Sequence, residues 1–216
     1  KDNFGESYPQ RWDKLNLGAC IQQGQYGLSG EHGMFDAMSY RLFNLAGTPS
    51  PRTHWVHFRI IDTKEDLGED HYDTDFWGLY LAVENVDESF VSAHGLCEGN
   101  LYKIESFRPH LRHSGHPFTR PPSDAYRFLR QLQNRPPDLW WAENTDLSRY
   151  YGYRSVLECV HHYDIAQGKN YYFFYDGGSQ KWFQIPWDVD LTWADHMYGS
   201  GHEPFMRAGV LRNDRR

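Results

Sequence analysis

Two acids one residue apart, Asp188 and Asp190, follow the apolar run Lys181–Trp187 (KWFQIPW) and lie between Trp187 and Trp193. On an extended chain alternate side chains share a face, so a strand continuing through this segment points both carboxylates the same way. At ~4 Å and an effective dielectric of ~20, two such charges repel by about 4 kcal/mol. An exposed turn relieves this by leaving both acids in water. Beside two tryptophans the other readings are that one acid is protonated or that a hard cation neutralises the pair. Oxygen-only ligation at a strand end suits magnesium.

A second pair precedes the hairpin that ends in these acids. Asp164 closes a helical stretch and Asn170 opens the next strand six positions later. Taken singly, Asp164 is a helix-end residue and Asn170 a turn former. Taken with Asp188, they form the set used in phosphoryl transfer, where one Asp orients or deprotonates the acceptor hydroxyl, an Asn binds metal, and a later Asp joins metal to phosphates. The loop HRDxxxxN spaces its Asp and Asn by five, one fewer than here. Lys103 in GNLYK, with Glu84 ending an earlier strand, adds a cation for phosphates and a carboxylate from elsewhere. Alone, Lys103 reads as a surface lysine.

These residues need elements to hold them. Met34–Leu45 (MFDAMSYRLFNL) has apolar residues at helical spacing and is stopped by Gly47 and Pro49. Trp55–Ile61 and Phe76–Val86 read as two strands of a hairpin, separated by Asp62–Asp75, whose seven carboxylates read as a solvated loop; they lack the DxDxDG pattern of a calcium loop. Asn100–Ser106 is a third strand after Gly99. Arg108–Pro122, rich in Pro, His and Arg, reads as irregular. Ser123–Gln133 reads as a helix capped by Ser123, and Asp146 begins another with a buried stripe of Tyr150, Tyr153, Val156, Leu157 and Val160. Asn170–Asp176 and Lys181–Trp187 form a hairpin across Gly177–Gly178. Strands and helices cluster separately along the chain, so the class is α+β.

Composition removes several functions. The chain has 216 residues, 22 Lys+Arg and 29 Asp+Glu, a formal charge of −7, which disfavours broad binding to nucleic acid or to an anionic membrane. No run approaches the ~20 apolar residues of a membrane span. Aromatic residues make up 17 % of the chain and supply core area that the 39 % hydrophobic content alone would not. Cys20, Cys97 and Cys159 form no CxxC pair and allow at most one internal disulfide. Gly24–Gly33 matches neither GxGxxG nor GxxxxGK[ST] and reads as a connector. His110, His113 and His116 would put two ligands on one face of a helix, but Pro109, Gly115 and Pro117 oppose one there. A metal-dependent hydrolase using Asp188, Asp190 and His196 or His202 has neither a nucleophile elbow nor HExxH behind it.

The ordered blocks RLFNLAGTPSPRTHWVHFRI, GLYLAVENVDESFV, GNLYK and NYYFFYD…KWFQIPWDVDLTW resemble the CotH family, the spore-coat protein H kinases, from about Met34 to Trp193. The resemblance implies an atypical protein-kinase-like fold, ATP with Mg²⁺ or Mn²⁺, and phosphorylation of Ser/Thr on a protein substrate. It implies metal binding by Asp188, Asp190 and Asn170, nucleotide contacts by Lys103 and Glu84, and a catalytic Asp164, where the preceding loop usually carries a His in place of Lys169. It also implies a secreted, cell-surface or spore-coat location; no signal segment is seen in this chain.

One domain over 1–216 is expected, with N-lobe-like strands and a helix at 34–106, a helical part with the catalytic hairpin at 123–198, and a loosely ordered tail at 199–216. Family members carry an N-terminal hairpin before the block near Trp12. This chain starts eleven residues before Trp12, so the N-terminal lobe is expected to be incomplete: an incomplete kinase, a trimmed chain, or a member using Gly24–Gly33 in the hairpin's place. The competing expectation is a catalytically silent surface interaction or adhesin module on the same scaffold.

Overall fold

A computed structural model describes residues 14–18, 33–60, 76–117, 120–165 and 168–193. The elements are β1 (Leu15–Gly18), α1 (Met34–Leu45), β2 (Thr53–Arg59), β3 (Phe76–Glu84), α2 (Glu88–Ala93), β4 (Gly99–Glu105), β5 (Arg108–Ser114), α3 (Ser123–Gln133), α4 (Asp138–Asn144), α5 (Leu147–Cys159), β6 (Tyr171–Asp176) and β7 (Lys181–Pro186). A short 3₁₀ turn, Tyr163–Ile165, follows α5. The class is α+β, as the clustering of strands and helices predicts. The Gly24–Gly33 connector up to Gly33, the acidic stretch Asp62–Asp75, Cys20, His196, His202 and the tail all fall outside the described residues.

Two antiparallel sheets result, one in the order β1-β3-β2 and one in the order β5-β4-β6-β7. The second sheet is covered on both faces, which explains why its central strands read as near-continuous apolar runs. On one face Tyr102, Ile104, Tyr171, Phe173 and Trp182 join Tyr40 of α1, Phe128 of α3 and Tyr153 of α5 in the larger core. Phe128 stacks on Trp182 with ring centroids 4.7 Å apart. On the other face Leu101, Tyr172, Phe174, Phe183 and Ile185 pack with Phe90 and Val91 of α2. Leu81 and Val83 of β3 belong to the larger core, so the first sheet is tied into the same apolar interior.

α1 buries Ala37, Ser39, Tyr40 and Phe43 and stops where Gly47 turns left-handed. α5 buries the expected stripe, and Asp146 caps it by accepting the Arg149 N–H at 3.1 Å. The helix nevertheless ends at Cys159. Short helices over Glu88–Ala93 and Asp138–Asn144 carry too few residues for a periodic pattern and are not legible in the sequence.

Three expectations are corrected. Arg108–Pro122 is not irregular throughout, because Arg108–Ser114 pairs with β4 as an edge strand. An edge strand tolerates the missing N–H of Pro109. The connection is only two residues, Ser106 and Phe107, both left-handed (φ 50 and 62). Ser123 does not cap α3; it is the first helical residue, and its hydroxyl donates back to the Arg120 carbonyl. The β6–β7 turn is not a two-glycine turn. It spans Gly177–Gln180 and is closed by Gln180 N–H to Asp176 O at 2.8 Å, with Gln180 the left-handed residue. Gly177 is needed for space, since a Cβ there would lie 2.3 Å from the Glu98 carbonyl oxygen.

Buried polar groups tie α3 to β4. The Asp124 carboxylate, nearly buried, accepts from Tyr102 Oη at 2.6 Å, Asn100 Nδ2 at 3.0 Å and its neighbour's amide, Ala125 N, at 2.7 Å. Removing it strands two buried donors. Asp124→Ala is expected to lower unfolding free energy by about 3 kcal/mol. Urea denaturation checks this, and a loss no larger than that of Tyr102→Phe alone would refute the shared-acceptor role.

Candidate active site

The acidic loop after β7 is held by two other elements. β7 ends at Pro186, and the Trp187 N–H donates to Asn170 O at 3.1 Å, which fixes the loop's start against the start of β6. Asp188 then turns left-handed (φ 54), its N–H accepted by the Tyr40 hydroxyl of α1 at 3.1 Å. The expected strand continuation through Asp188–Val189–Asp190 is therefore wrong: the chain bends at Asp188 because Tyr40 captures its amide. Val189 is driven fully into the core.

Farther along, Thr192 Oγ1 donates to Val189 O at 2.8 Å and Trp193 Nε1 donates to Ser39 Oγ at 3.0 Å. With those protons committed, the 3.2 Å contact between Ser39 Oγ and Thr192 Oγ1 has Ser39 as donor. Trp193 N–H reaches Val160 O at 2.6 Å. His162, almost wholly buried, meets Leu191 O through Nδ1 at 3.4 Å, which requires the Nδ1–H tautomer and leaves Nε2 without a partner. Helix α1 and the end of α5 thus set the shape of the loop.

Asp164 lies in the 3₁₀ turn after α5. Its Oδ2 accepts from Lys169 Nζ at 2.9 Å and from Asn170 Nδ2 at 2.8 Å. Asn170 Nδ2 also reaches the Asp164 carbonyl at 3.1 Å. Asn170 is left-handed (φ 65), a conformation Asn tolerates better than most residues. Its amide nitrogen is spent on Asp164 and its backbone oxygen on Trp187, so Oδ1 is the group left over. Consecutive hydrogen bonds thus join Asp164, Asn170 and the start of the Asp188 loop at Trp187.

Lys103 and Glu84 are not brought together. Lys103 Nζ is held by Glu105 Oε1 at 2.9 Å. Glu84, buried, uses Oε2 to accept both His94 Nε2 and the Arg52 N–H at 2.9 Å each. The charges of Lys169 and then of Lys103 nevertheless draw the Asp188 pKa downward.

One acid escapes a reading by motif: Asp36, in the first turn of α1. Burial raises its pKa to about 7, reinforced by the charge of Asp190 and then of Asp188. Asp190 is raised to about 6 by burial, then by Asp188 and Asp164, against hydrogen bonding from backbone amides. Asp188, exposed at the rim as a residue, is still shifted upward by partial desolvation and then by Asp164. Four carboxylates from three segments act on one another here. The available signal was the i, i+3, i+4 spacing of Asp36, Ser39 and Tyr40, which places them together on α1.

Asp188, Asp190 and Asn170 supply the donor type that a hard divalent cation takes. Asp188, Asp190 and Asn170 Oδ1 offer only oxygens, and magnesium is commonly held by one or two carboxylates together with water and substrate phosphate. Among the described residues no three His, Cys, Asp or Glu side chains are gathered as a ready-made metal cage. The His110–His113–His116 run supplies none either: His110 faces Glu105 at 3.9 Å and His113 faces Glu98 at 3.7 Å, on separate carboxylates.

A family model described as CotH kinase protein matches residues 31–214. No curated protein matches the chain.

The crowded acids fix a sign for stability against pH. Asp36 and Asp190 hold protons in the folded protein at pH values where the unfolded chain has released them, so they weaken folding as pH rises from about 4 to about 7. His162 acts the other way. Burial lowers its pKa from 6.5 to about 4, so the stability it contributes is full above 6.5 and is lost as pH falls toward 4. Comparing Asp36→Asn with the parent cancels the histidine. The variant is expected to gain on the order of 1 kcal/mol, about 2–4 °C, at pH 8 in chelator and little at pH 5. Millimolar Mg²⁺ should raise the parent's melting temperature more at pH 8 than at pH 5. Parallel melting curves for both proteins across this range would refute the coupling.

Proposed function

The chain belongs to the CotH kinase protein family, and from that membership and the acidic pocket we propose that it transfers the terminal phosphoryl group of ATP to Ser/Thr hydroxyls of a protein substrate. The observation that carries the reading is Asn170, which binds Asp164 through its amide nitrogen and the Asp188 loop through its backbone oxygen. An acid for the acceptor hydroxyl and acids for a cation are thereby held a few bonds apart, as phosphoryl transfer requires.

Asp188, Asp190 and Asn170 Oδ1 would hold Mg²⁺ or Mn²⁺, whose charge, when bound, offsets that of the phosphates and of the acids themselves. Asp164 receives the acceptor hydroxyl; as the new O–P bond forms and the bond to ADP breaks, the hydroxyl proton passes to its carboxylate. Two hydrogen bonds on Oδ2 fix that carboxylate's orientation and leave Oδ1 for the hydroxyl. Lys103, steadied by Glu105, meets phosphate charge from the adjoining face of β4. Glu84 enters as the anchor of the His94 ring and the Arg52 amide. In this reading 34–106 supplies the nucleotide-facing part and 123–198 the catalytic hairpin of one kinase-like domain. A secreted, cell-surface or spore-coat setting goes with the family name. No helix among the described residues is long and apolar enough to cross a membrane.

Labelled ATP with a Ser/Thr-rich peptide tests the reaction. Asp188→Asn is expected to reduce transfer to background, and Asp164→Asn to slow it by about 10²–10⁴-fold. Chelator should abolish transfer, and magnesium or manganese should restore it. Near-normal turnover in Asp188→Asn would reject the mechanism. Absence of any thermal shift with ATP and magnesium would favour the silent interaction module.

A further inference from the structure

Two lysines named above, Lys103 and Lys169, each rest on a carboxylate. Lys103 is paired with Glu105, and Lys169 with Asp164, both at 2.9 Å. The first has an assignment above; the second has none. We propose that Lys169 is a second phosphate-contacting residue, which binds the terminal phosphoryl group of the nucleotide on the side of the pocket where Asp164 receives the acceptor. The inference rests on the phosphoryl-transfer reading and names a further residue of that same site.

Three observations carry it. First, the position of Lys169 is fixed by its backbone neighbours. Gly168 O accepts the Phe107 N–H at 3.0 Å, and a Cβ on Gly168 would lie 2.2 Å from the Phe107 ring, so the β4–β5 tip clasps the chain just before Lys169. Asn170 clasps it just after. Second, the side chain is 40 % exposed and its one polar contact is Asp164 Oδ2. An ammonium has three donors, so two remain for an incoming group. Third, Lys169 immediately precedes Asn170, whose carbonyl accepts the Trp187 N–H at 3.1 Å, so the lysine lies one residue from the bond that ties this turn to the Asp188 loop. An isolated ion pair this exposed contributes little to stability, so structure alone does not account for it. A group that carries several negative charges into a pocket crowded with carboxylates needs a cation at that junction.

The test combines binding with turnover. With magnesium present, the parent protein is expected to show a larger thermal shift with a non-hydrolysable ATP analogue than with ADP. Lys169→Met should lose that excess while keeping the ADP shift. In transfer assays Lys169→Met should lower kcat by about 10²-fold with the KM for ATP changed less than about threefold. Lys169→Arg, which keeps charge and reach, should recover at least about a tenth of the parent rate and serves if the Met variant does not fold. Equal loss of the ADP and ATP-analogue shifts would overturn the proposal, since it would mark a structural lysine. So would an unchanged excess shift in Lys169→Met when the parent transfers phosphate; the kinase reading would then survive. No transfer by the parent would overturn both.

Discussion

Carboxylates from three stretches of chain crowd into one corner of this protein, and most of the local architecture exists to keep them there. Left to themselves Asp36, Asp164, Asp188 and Asp190 would separate or protonate, and the upward shifts at Asp36 and Asp190 show how far the second remedy is already used. A folded chain bears such a cost only when its frame is stiffer than the repulsion. Here the frame consists of buried hydroxyls and main-chain amides. Tyr40 takes the Asp188 amide, Ser39 bridges Thr192 and Trp193, and Val189 is sunk in the core. None of these contacts is ionic, so charge on the acids can change without dissolving the scaffold.

That scaffold depends on aromatic packing more than on aliphatic bulk. The four-stranded sheet is covered on both faces, and its side toward α1, α3 and α5 is filled by Tyr102, Phe128, Phe173 and Trp182. Tyrosine suits this interior because it adds area and a donor together. Tyr102 donates to Asp124, and Tyr40 accepts at the acidic loop. The high aromatic content noted from composition is thus also the means by which polar contacts are made inside an apolar core.

Much of this was readable from the chain. The helices with a clear stripe, α1 and α5, appear where periodicity puts them, because a buried face is a pattern that three or four turns can display. Asp164, Asn170 and Asp188 were recognisable as a set; Asn170 bonds Asp164 and, through its carbonyl, the residue before Asp188. What could not be read has a common cause. Asp188 adopts a left-handed bend because of a hydroxyl 148 positions away; Asp36 joins the acids because α1 packs on the loop. The pairing of Lys103 with Glu105 in place of Glu84 follows from strand register and from a histidine that claims Glu84 first. Likewise β5 was hidden by its proline, since the rule that excludes proline from central strands has no force at a sheet edge. Local sequence encodes local periodicity; each of these outcomes was decided by a distant neighbour.

The clasp between Phe107 and Gly168 bears on how such a site can diversify. Because the chain is gripped at Gly168 by a hairpin tip and again at Asn170 by Asp164, Lys169 is held from both sides. The place of Asn170 is thereby set by its two partners, the Asp164 carboxylate and the Trp187 amide, and not by its count of residues from Asp164. An Asp-to-Asn interval of six rather than five then needs no compensating rearrangement, and interval length becomes a poor yardstick for aligning chains of this kind.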